Sequence, residues 1–212
     1  MWRDVFDRND YGTNCWLLAA DGSDEAVVVD PGFDPAAVRS LLEAPRKVPV
    51  AVLLTHAHVD HAMEAGPFSG DDLPVFVHPA DALAFSDPAA WAAGFANPLG
   101  EVKDLRTVED GEVLRFAGLE LEVVHTPGHT PGHCLFRAEG AEAFVCSGDL
   151  VFAGAIGRSD FPNSSPPDMV RSLRRFLELP DGLEVLPGHG PTTTVERERT
   201  TNPFLTDPDR WS

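Results

Sequence analysis

The chain has 212 residues, 43% of them apolar and 24% charged, which is typical of a globular protein with one domain or at most two small ones. Its net charge of −18 argues against a nucleic-acid or anionic membrane partner, because both need positively charged patches. The three cysteines are too few for a disulfide framework, and neither a signal peptide nor an apolar run of membrane-spanning length is present. We therefore expect a cytoplasmic protein that binds neither nucleic acid nor membrane.

Apolar runs bounded by turn residues predict a series of strands along the chain. In chain order these strands cover residues 15–19, 26–30, 48–54, 75–78, 119–125, 133–137, 143–146 and 183–186. A first helix is predicted after Asp34, which can cap it with Pro35 in its first position, and a second from about Asp168. The Ala/Pro-rich stretch 80–100 predicts a broken helix or a loop over a cleft. This mixed order predicts an α/β protein with two sheets.

Three of the eight histidines lie in the run Thr55-His56-Ala57-His58-Val59-Asp60-His61. The run follows a buried apolar strand, and functional residues are common in loops that begin at strand ends. In an extended chain His56 and His58 point to the same side, so they can bind one ion together. If a helix begins near Asp60, then Asp60 and His61 diverge from that pair and can bind a second ion. Imidazole and carboxylate ligands suit Zn²⁺, Fe²⁺ or Mn²⁺.

Three later turns carry further residues of metal-binding type, each next to a glycine and a predicted strand. His129 follows the turn 126–128, Asp149 follows Ser147-Gly148, and His189 follows Pro187-Gly188. Several strand ends that converge on one sheet edge commonly form the site of an α/β protein. These residues are therefore expected to join the histidine run in one centre.

A two-ion centre needs roughly three protein ligands per ion and a bridging anion. Counting assigns His56, His58 and His129 to one ion, and Asp60, His61 and His189 to the other. Asp149 remains, and its carboxylate is the side chain that can bridge both ions. The sequence therefore predicts a dinuclear metal centre with seven protein ligands.

These motifs resemble those of the metallo-β-lactamase superfamily and, within it, the compact bacterial glyoxalase II-like enzymes (hydroxyacylglutathione hydrolases). The matching segments are residues 14–17, 30–32, 55–61, 126–133, 147–149, 157–162 and 187–190. The resemblance implies a four-layer αββα sandwich with the metal site at the edge of the two sheets. It also implies one domain over residues 1–212, without an added C-terminal helical substrate domain. The same seven ligands would hold two Zn²⁺ ions, with iron or manganese as alternatives.

The resemblance further implies a glyoxalase II-like thioesterase. A hydroxide that bridges the two ions would attack a small-molecule thioester, either S-lactoylglutathione-like or another thiol conjugate. Asp60 would be both a ligand and the residue that orients the attacking group, and Asp30 would fix a histidine tautomer. The alternatives are a mononuclear iron enzyme like the persulfide dioxygenases, a lactone or ester hydrolase, and a non-catalytic binding protein on this fold. The oligomeric state is left open.

The other histidines are expected to support the structure. His125 and His133 are expected to lie behind the metal ligands or in the fold, and His78 is expected to be structural. Arg158 and Asp160 are expected to form a salt link near the site rather than to contact substrate.

Overall fold

The computed structural model describes residues 1–91, 98–140 and 142–211. Within these ranges the first of two six-stranded sheets is formed by the N-terminal half of the chain. Its strands, in both chain and spatial order, are β1 (Trp2–Phe6), β2 (Cys15–Ala19), β3 (Glu25–Val29), β4 (Val48–Leu53), β5 (Val75–Val77) and β6 (Leu105–Thr107). The pairs from β1 to β3 are antiparallel and those from β3 to β6 are parallel.

The second sheet and a small hairpin follow in the chain. Their strands are β7 (Val113–Phe116), β8 (Leu119–His125), β9 (Cys134–Ala138), β10 (Phe144–Gly148), β11 (Val151–Phe152), β12 (Ala155–Ile156), β13 (Glu184–Pro187) and β14 (Thr193–Thr194). The spatial order of the second sheet is β14-β13-β10-β9-β8-β7, and β11 pairs with β12 in a separate hairpin. Only β10 and β13 are parallel neighbours in this sheet, so the fold is mixed, as predicted.

Along the chain, helices follow or connect the strands in both halves. They are α1 (Pro35–Glu43), α2 (Val59–Ala62), α3 (Ala65–Ser69), α4 (Pro79–Ser86), α5 (Pro88–Trp91), α6 (Pro166–Phe176), α7 (Val195–Thr201) and α8 (Pro203–Thr206), followed by a 3-10 turn at Pro208–Trp211. Asp34 caps α1 as predicted, because its carboxylate accepts a hydrogen bond from the Ala37 amide. Helix α6 begins at Pro166, two residues before the predicted start near Asp168. Ser165 is the cap, and the two prolines that follow it lack the N–H groups that a helix start leaves unpaired.

The stretch 80–100 is a broken helix as far as the structure describes it. Helix α4 ends before Asp87, and α5 begins at Pro88, which has no N–H with which to continue the ladder of α4. Part of this prediction falls on residues 92–97, which lie outside the described residues.

Apolar residues on both faces of each sheet produce the four layers. In β2, Trp16 and Leu18 face the core between the sheets, while Leu17 faces α1 on the outer side. The inner core also contains Phe136 from the second sheet, and the outer face of that sheet packs against α6 through residues such as Leu173. The two layers of strands are therefore enclosed by helices, which confirms the αββα sandwich.

The strands that the sequence did not predict are short and lie mostly at edges. The strands β1, β6, β7, β11, β12 and β14 contain two to five residues each. Edge strands carry mixed polar and apolar residues, as in the run Trp2–Phe6, so they lack the apolar signal of a central strand. The cysteines Cys15, Cys134 and Cys146 are buried and free.

No helix within residues 1–91, 98–140 and 142–211 combines the length and the apolar character needed to cross a bilayer.

Two half-buried histidines stack where the end of β8 meets the loop after β5. The ring centroids of His78 and His125 are 3.9 Å apart and their planes differ by 7°. His78 Nδ1 accepts a hydrogen bond from the Ala80 amide and so caps α4, which agrees with its predicted structural role. Burial and the neighbouring His125 lower the pKa of His78 to about 4.

This lowered pKa gives an expected pH dependence of folding. Between about pH 6.5 and pH 4 the unfolded chain binds a proton at His78 that the folded chain does not, so this contribution to stability is lost as the pH falls through that window. His78→Asn keeps a capping acceptor and removes the titration. We expect the variant to lose less free energy of unfolding than the native protein between pH 7 and pH 4.5, measured by urea denaturation. Equal losses would contradict this assignment.

Candidate metal centre

All seven predicted ligands lie just beyond strand ends at one edge of the paired sheets. His56 and His58 follow β4, Asp60 and His61 lie in α2, His129 follows β8, Asp149 follows β10, and His189 follows β13. His58 is extended, and the helix begins at the next residue, as the spacing predicted. The change from extended chain to helix points the two halves of the histidine run at different sides of the centre.

Backbone hydrogen bonds fasten these loops to one another. The Cys134 amide donates to the Thr55 carbonyl at 2.8 Å, and this bond joins the second sheet to the first. The Gly188 amide donates to the Gly148 carbonyl at 2.8 Å, and the Asn14 amide donates to the Gly188 carbonyl at 2.7 Å. The ligand-bearing loops therefore form a continuous hydrogen-bonded frame.

The first ligand group contains His56, His58 and His129. His58 Nδ1 lies 2.8 Å from His129 Nε2, and the ring centroids of His56 and His58 are 4.9 Å apart. His56 Nδ1 is hydrogen-bonded to Thr55 Oγ1 at 3.0 Å, and His129 Nδ1 to the Arg158 carbonyl at 2.7 Å. These bonds leave the Nε2 atoms of His56 and His129 available to a shared ion, which is how ligand histidines are commonly oriented.

The second ligand group contains Asp60, His61 and His189. His189 Nε2 lies 3.2 Å from Asp60 Oδ2, and His61 Nε2 lies 3.5 Å from the same oxygen. His189 Nδ1 lies 3.2 Å from the Gly12 carbonyl oxygen. His61 Nδ1 lies 3.0 Å from Asp30 Oδ2, so Asp30 makes the supporting contact that the sequence predicted.

Asp149 lies between the two groups. Its Oδ2 atom is 3.4 Å from His129 Nε2 and 3.5 Å from His189 Nε2, while its Oδ1 atom is 3.3 Å from His61 Nε2. One carboxylate therefore faces ligands of both groups. This is the arrangement expected of a bridging residue.

The donor set fits divalent metal ions. Among the described residues there are three sets in which the potential ligand atoms all lie within 4.8 Å of one another: His56, His58 and His129; His56, His61 and Asp149; Asp60, His61 and His189. The buried atom His56 Nε2 has no hydrogen-bond partner, and His61 Nε2 and Asp149 Oδ1, although 3.3 Å apart, also make no hydrogen bond of acceptable geometry. Leaving such atoms unsatisfied costs about 1–3 kcal/mol each, which coordination to a cation would relieve.

The histidines of the two ligand groups differ in protonation. Burial lowers the pKa of His56 well below its usual range, and burial with His129 lowers the pKa of His58 to about 3. Burial alone would also lower the pKa of His189, but hydrogen bonds to Asp149 and Asp60 raise that pKa to about 9. The first group thus presents neutral imidazoles, the form that binds metal, whereas the second has protons that a cation would displace.

Gly188 provides space for the centre, which leads to a mutational prediction. A Cβ atom on Gly188 would overlap Asp149 Oδ1 and come within 2.8 Å of His61 Cε1. We expect Gly188→Ala to weaken metal binding at least about 10-fold, because even indirect disturbance of ligands has effects of this size. Gly182→Ala is the control, since a Cβ there meets nothing within 4 Å. Equal metal affinities by chelator competition would contradict the prediction.

The remaining predicted residues lie near the centre without joining the ligand groups. His133 Nδ1 is hydrogen-bonded to Thr126 Oγ1, and its Nε2 accepts from the Asp149 amide at 3.1 Å, so it supports the centre from behind. The Arg158 guanidinium pairs with Asp160, as predicted. Sequence reasoning missed Thr13, whose hydroxyl donates to Asp60 Oδ2 at 3.2 Å, because a single threonine carries no motif.

A cleft of about 480 Å³ opens over the centre. Both ligand groups reach its floor, and its walls include the apolar side chains of Tyr11, Val59, Phe152, Ile156 and Phe161. Three of these residues lie in the 151–161 segment, whose strands were not predicted. The cleft gives an organic molecule access to the candidate ligands.

The chain matches the metallo-beta-lactamase superfamily model over residues 8–189. It belongs to that superfamily. It is 33% identical over 198 residues to the hydroxyacylglutathione hydrolase GloC of Haemophilus influenzae, with 91% of this chain and 92% of the relative covered. Among solved structures, the BLEG-1 B3 metallo-beta-lactamase superposes with a TM-score of 0.87 at 32% identity, covering 97% of this chain and 100% of the other. TTHA1623 in a di-iron-bound form superposes with a TM-score of 0.79 at 37% identity, covering 95% and 100%.

These comparisons confirm the superfamily and the fold that the motifs implied. The chain is therefore a protein of the metallo-hydrolase type, and its cluster of histidines and aspartates suits divalent ions. The matched segment ends at His189, so it includes every predicted ligand.

Proposed function

We propose that this metallo-β-lactamase superfamily member is a dinuclear-metal thioesterase of the glyoxalase II-like type. The observation that carries the proposal is the position of Asp149, whose two carboxylate oxygens face histidines of both ligand groups at 3.3–3.5 Å. The 33% identity to a hydroxyacylglutathione hydrolase over nine-tenths of both chains supports a thioester as the substrate. The cytoplasmic location and the single-domain organisation stay predictions.

Two bound divalent ions would supply an activated water nucleophile and Lewis-acid stabilisation of the carbonyl oxygen. Around them the seven ligands would hold the reacting groups at the floor of the cleft. The supporting bonds from Asp30, Thr55 and the Arg158 carbonyl keep three of the histidine rings fixed, so little reorganisation is needed during reaction. A thiolate is a good leaving group, so the chemistry does not depend on a dedicated general acid.

Asp60 is the proposed catalytic residue. Its side chain is partly exposed to the cleft, and the Thr13 hydroxyl and His189 hold its Oδ2 atom in place. Burial alone would raise the pKa of Asp60, but His61 and His189 hold it below its usual range, so the group stays ionised. An ionised carboxylate at this position can orient a water molecule toward the carbonyl carbon by accepting a hydrogen bond from it.

The cleft walls suit the organic part of a small thioester. Aromatic and aliphatic side chains form the walls, and the Arg158 guanidinium at the rim is paired with Asp160. Apolar walls with a few polar groups at the floor are typical of small-molecule sites. We propose Zn²⁺ as the resident metal. Iron is the alternative, supported by the 37% identity to a solved structure described as di-iron-bound.

The test combines metal analysis with a substrate panel on one protein preparation. Elemental analysis should find close to two ions per chain. Hydrolysis of S-lactoylglutathione would be compared with that of coenzyme A thioesters and thioesters of small neutral thiols. Chelation followed by dialysis should abolish turnover, and adding back Zn²⁺, Fe²⁺ or Mn²⁺ separately should restore it and identify the preferred ion.

The same preparation distinguishes the alternative activities. Less than half an ion per chain would contradict the metal centre. Full metal occupancy with turnover of a lactone, an oxygen ester or a chromogenic cephalosporin, and none of any thioester, would contradict the thioesterase. Oxygen uptake with glutathione persulfide by an iron-loaded preparation would instead support the dioxygenase alternative.

A further inference from the structure

A buried carboxylate outside the ligand set connects the two histidine-bearing loops. Asp81 is the third residue of α4 and is 0% exposed. We propose that Asp81 is a positioning residue that holds His56, His58 and His129 at the spacing needed to share one ion. This inference rests on the proposed metal centre and extends it to a residue that binds no metal.

Four hydrogen bonds meet at this one carboxylate. Oδ2 accepts from the Ala57 amide at 3.0 Å and from the Thr130 hydroxyl at 2.7 Å. Oδ1 accepts from the Gly132 amide at 2.7 Å and from Trp91 Nε1 at 3.2 Å. Three of the four neighbours are N–H groups, which can only donate, and an ionised carboxylate accepts from all four at once.

The donors lie beside the candidate ligands rather than elsewhere in the fold. Ala57 separates His56 from His58, and Thr130 directly follows His129. The first loop leaves β4 of one sheet, and the second joins β8 to β9 of the other. A single carboxylate thus spans the two sheets at the place where His58 Nδ1 and His129 Nε2 are 2.8 Å apart.

Two further contacts show how closely the carboxylate is fitted. A Cβ atom on Gly132 would lie 2.7 Å from the Asp81 amide and 2.8 Å from its Cβ, so this loop approaches α4 as closely as only glycine allows. Trp91, which donates to the carboxylate, also packs edge-on against His58, with ring centroids 5.6 Å apart. Asp81 therefore acts on the first ligand group through both backbone and side-chain partners.

Asp81 is a buried carboxylate whose hydrogen bonds all go to the two loops and to Trp91. Burying a charge carries a large desolvation cost that hydrogen bonds offset only when they are complete. Burial accordingly raises the pKa of Asp81, while its four donors oppose that rise by favouring the ionised form. The hydrogen bonds from Ala57, Thr130 and Gly132 therefore hold the two loops at one separation.

Asp81→Asn tests the role with little change in shape. The new amide group must replace one of the two acceptor oxygens. If the amide nitrogen replaced Oδ1, it would face two N–H donors, those of Gly132 and Trp91. If it replaced Oδ2, it would face only the Ala57 N–H, because the Thr130 hydroxyl can rotate to accept. The second orientation is therefore favoured. The variant therefore loses the bond to Ala57, between His56 and His58. We expect the affinity for the first ion to fall about 10- to 100-fold, the usual range for partners that orient metal ligands.

Glu198→Gln is the matched control. Glu198 is also a fully buried carboxylate, and it accepts hydrogen bonds from the Gly154 amide, the Thr193 hydroxyl and the Asn202 side chain. It contacts neither histidine-bearing loop through these bonds, so its variant should bind metal as the native protein does. Thr130→Val is a milder second variant, which removes one neutral donor from Asp81. We expect it to lower the affinity for the first ion by a few-fold.

Three measurements would be made on each protein: Zn²⁺ affinity by chelator competition, the visible absorption of the Co²⁺-loaded form, and the thermal midpoint of the metal-free form. Altered Co²⁺ spectra and weaker binding in the Asp81 and Thr130 variants, beyond any change in the Glu198 variant, would support the proposal. Native affinity and spectrum in both variants at residues 81 and 130, or equal weakening in the Glu198 variant, would overturn it.

These outcomes are distinct from failure of the proposed function. A native protein that binds metal but hydrolyses no thioester would overturn the thioesterase and leave the role of Asp81 intact. A native protein that binds no metal would overturn both. Should Asp81→Asn fail to fold, the Thr130→Val comparison still decides the question, since it removes no charge.

Discussion

Asp149→Asn is expected to abolish thioester hydrolysis while the chain stays folded. The amide matches the shape of the carboxylate but has no negative charge and offers only one oxygen to the two ligand groups. Because loss of a residue that merely orients a metal ligand costs about 10- to 100-fold, we expect kcat/KM to fall by more than about 100-fold when the shared ligand itself is lost. Bound metal should fall from two ions toward one per chain.

The control for this prediction is a carboxylate of similar chemistry at a distance from the centre. Asp104 is exposed and paired with Arg106, so Asp104→Asn removes a charge without touching a ligand group. Elemental analysis and steady-state kinetics on both variants, together with circular dichroism, separate loss of metal from loss of structure. Two ions per chain and native turnover in Asp149→Asn would show that the two groups do not share this carboxylate.

The sequence could indicate which residues the structure brings together in the candidate centre, because each of them lies next to a strong local signal. His56 and His58 follow a fully apolar strand, and His129 and His189 follow Pro-Gly turns that end strands. Such signals depend only on neighbouring residues, so they can be recognised without knowledge of the tertiary structure. The assignment of Asp149 as the shared residue also followed from counting, because a carboxylate has two oxygens to offer.

The residues that the sequence did not reveal act through distant contacts. Asp81 lies in an Ala/Pro-rich stretch with weak periodicity, and its four donors are 10 to 51 positions away along the chain. The hairpin that carries Phe152 and Ile156 has strands of two residues, too short for an alternating pattern. The same limitation explains the edge strands, whose pairing is decided by the neighbouring strand rather than by their own residues.

The second large effect is expected for Asp60, whose loss should abolish activity while the chain stays folded. Its side chain is partly exposed and contacts residues of the centre, and its amide belongs to a short helix that does not need the carboxylate. Asp60→Ala should therefore fold and keep one ion in the group of His56, His58 and His129. Hydrolysis should be lost by more than about 100-fold. The variant loses both a ligand of the second group and the acceptor that orients the water, and loss of a residue that merely orients a metal ligand already costs about 10- to 100-fold.

The pattern of kinetic loss distinguishes a catalytic Asp60 from one that only supports His189. Thr13→Val removes the hydroxyl that donates to Asp60 Oδ2 and keeps the carboxylate, so a catalytic Asp60 predicts a smaller fall in kcat with little change in KM. Asp60→Asn keeps the shape without the charge, and it should resemble Asp60→Ala rather than the native protein. If metal-saturated Asp60→Ala retains turnover, Asp60 has no part in the reaction.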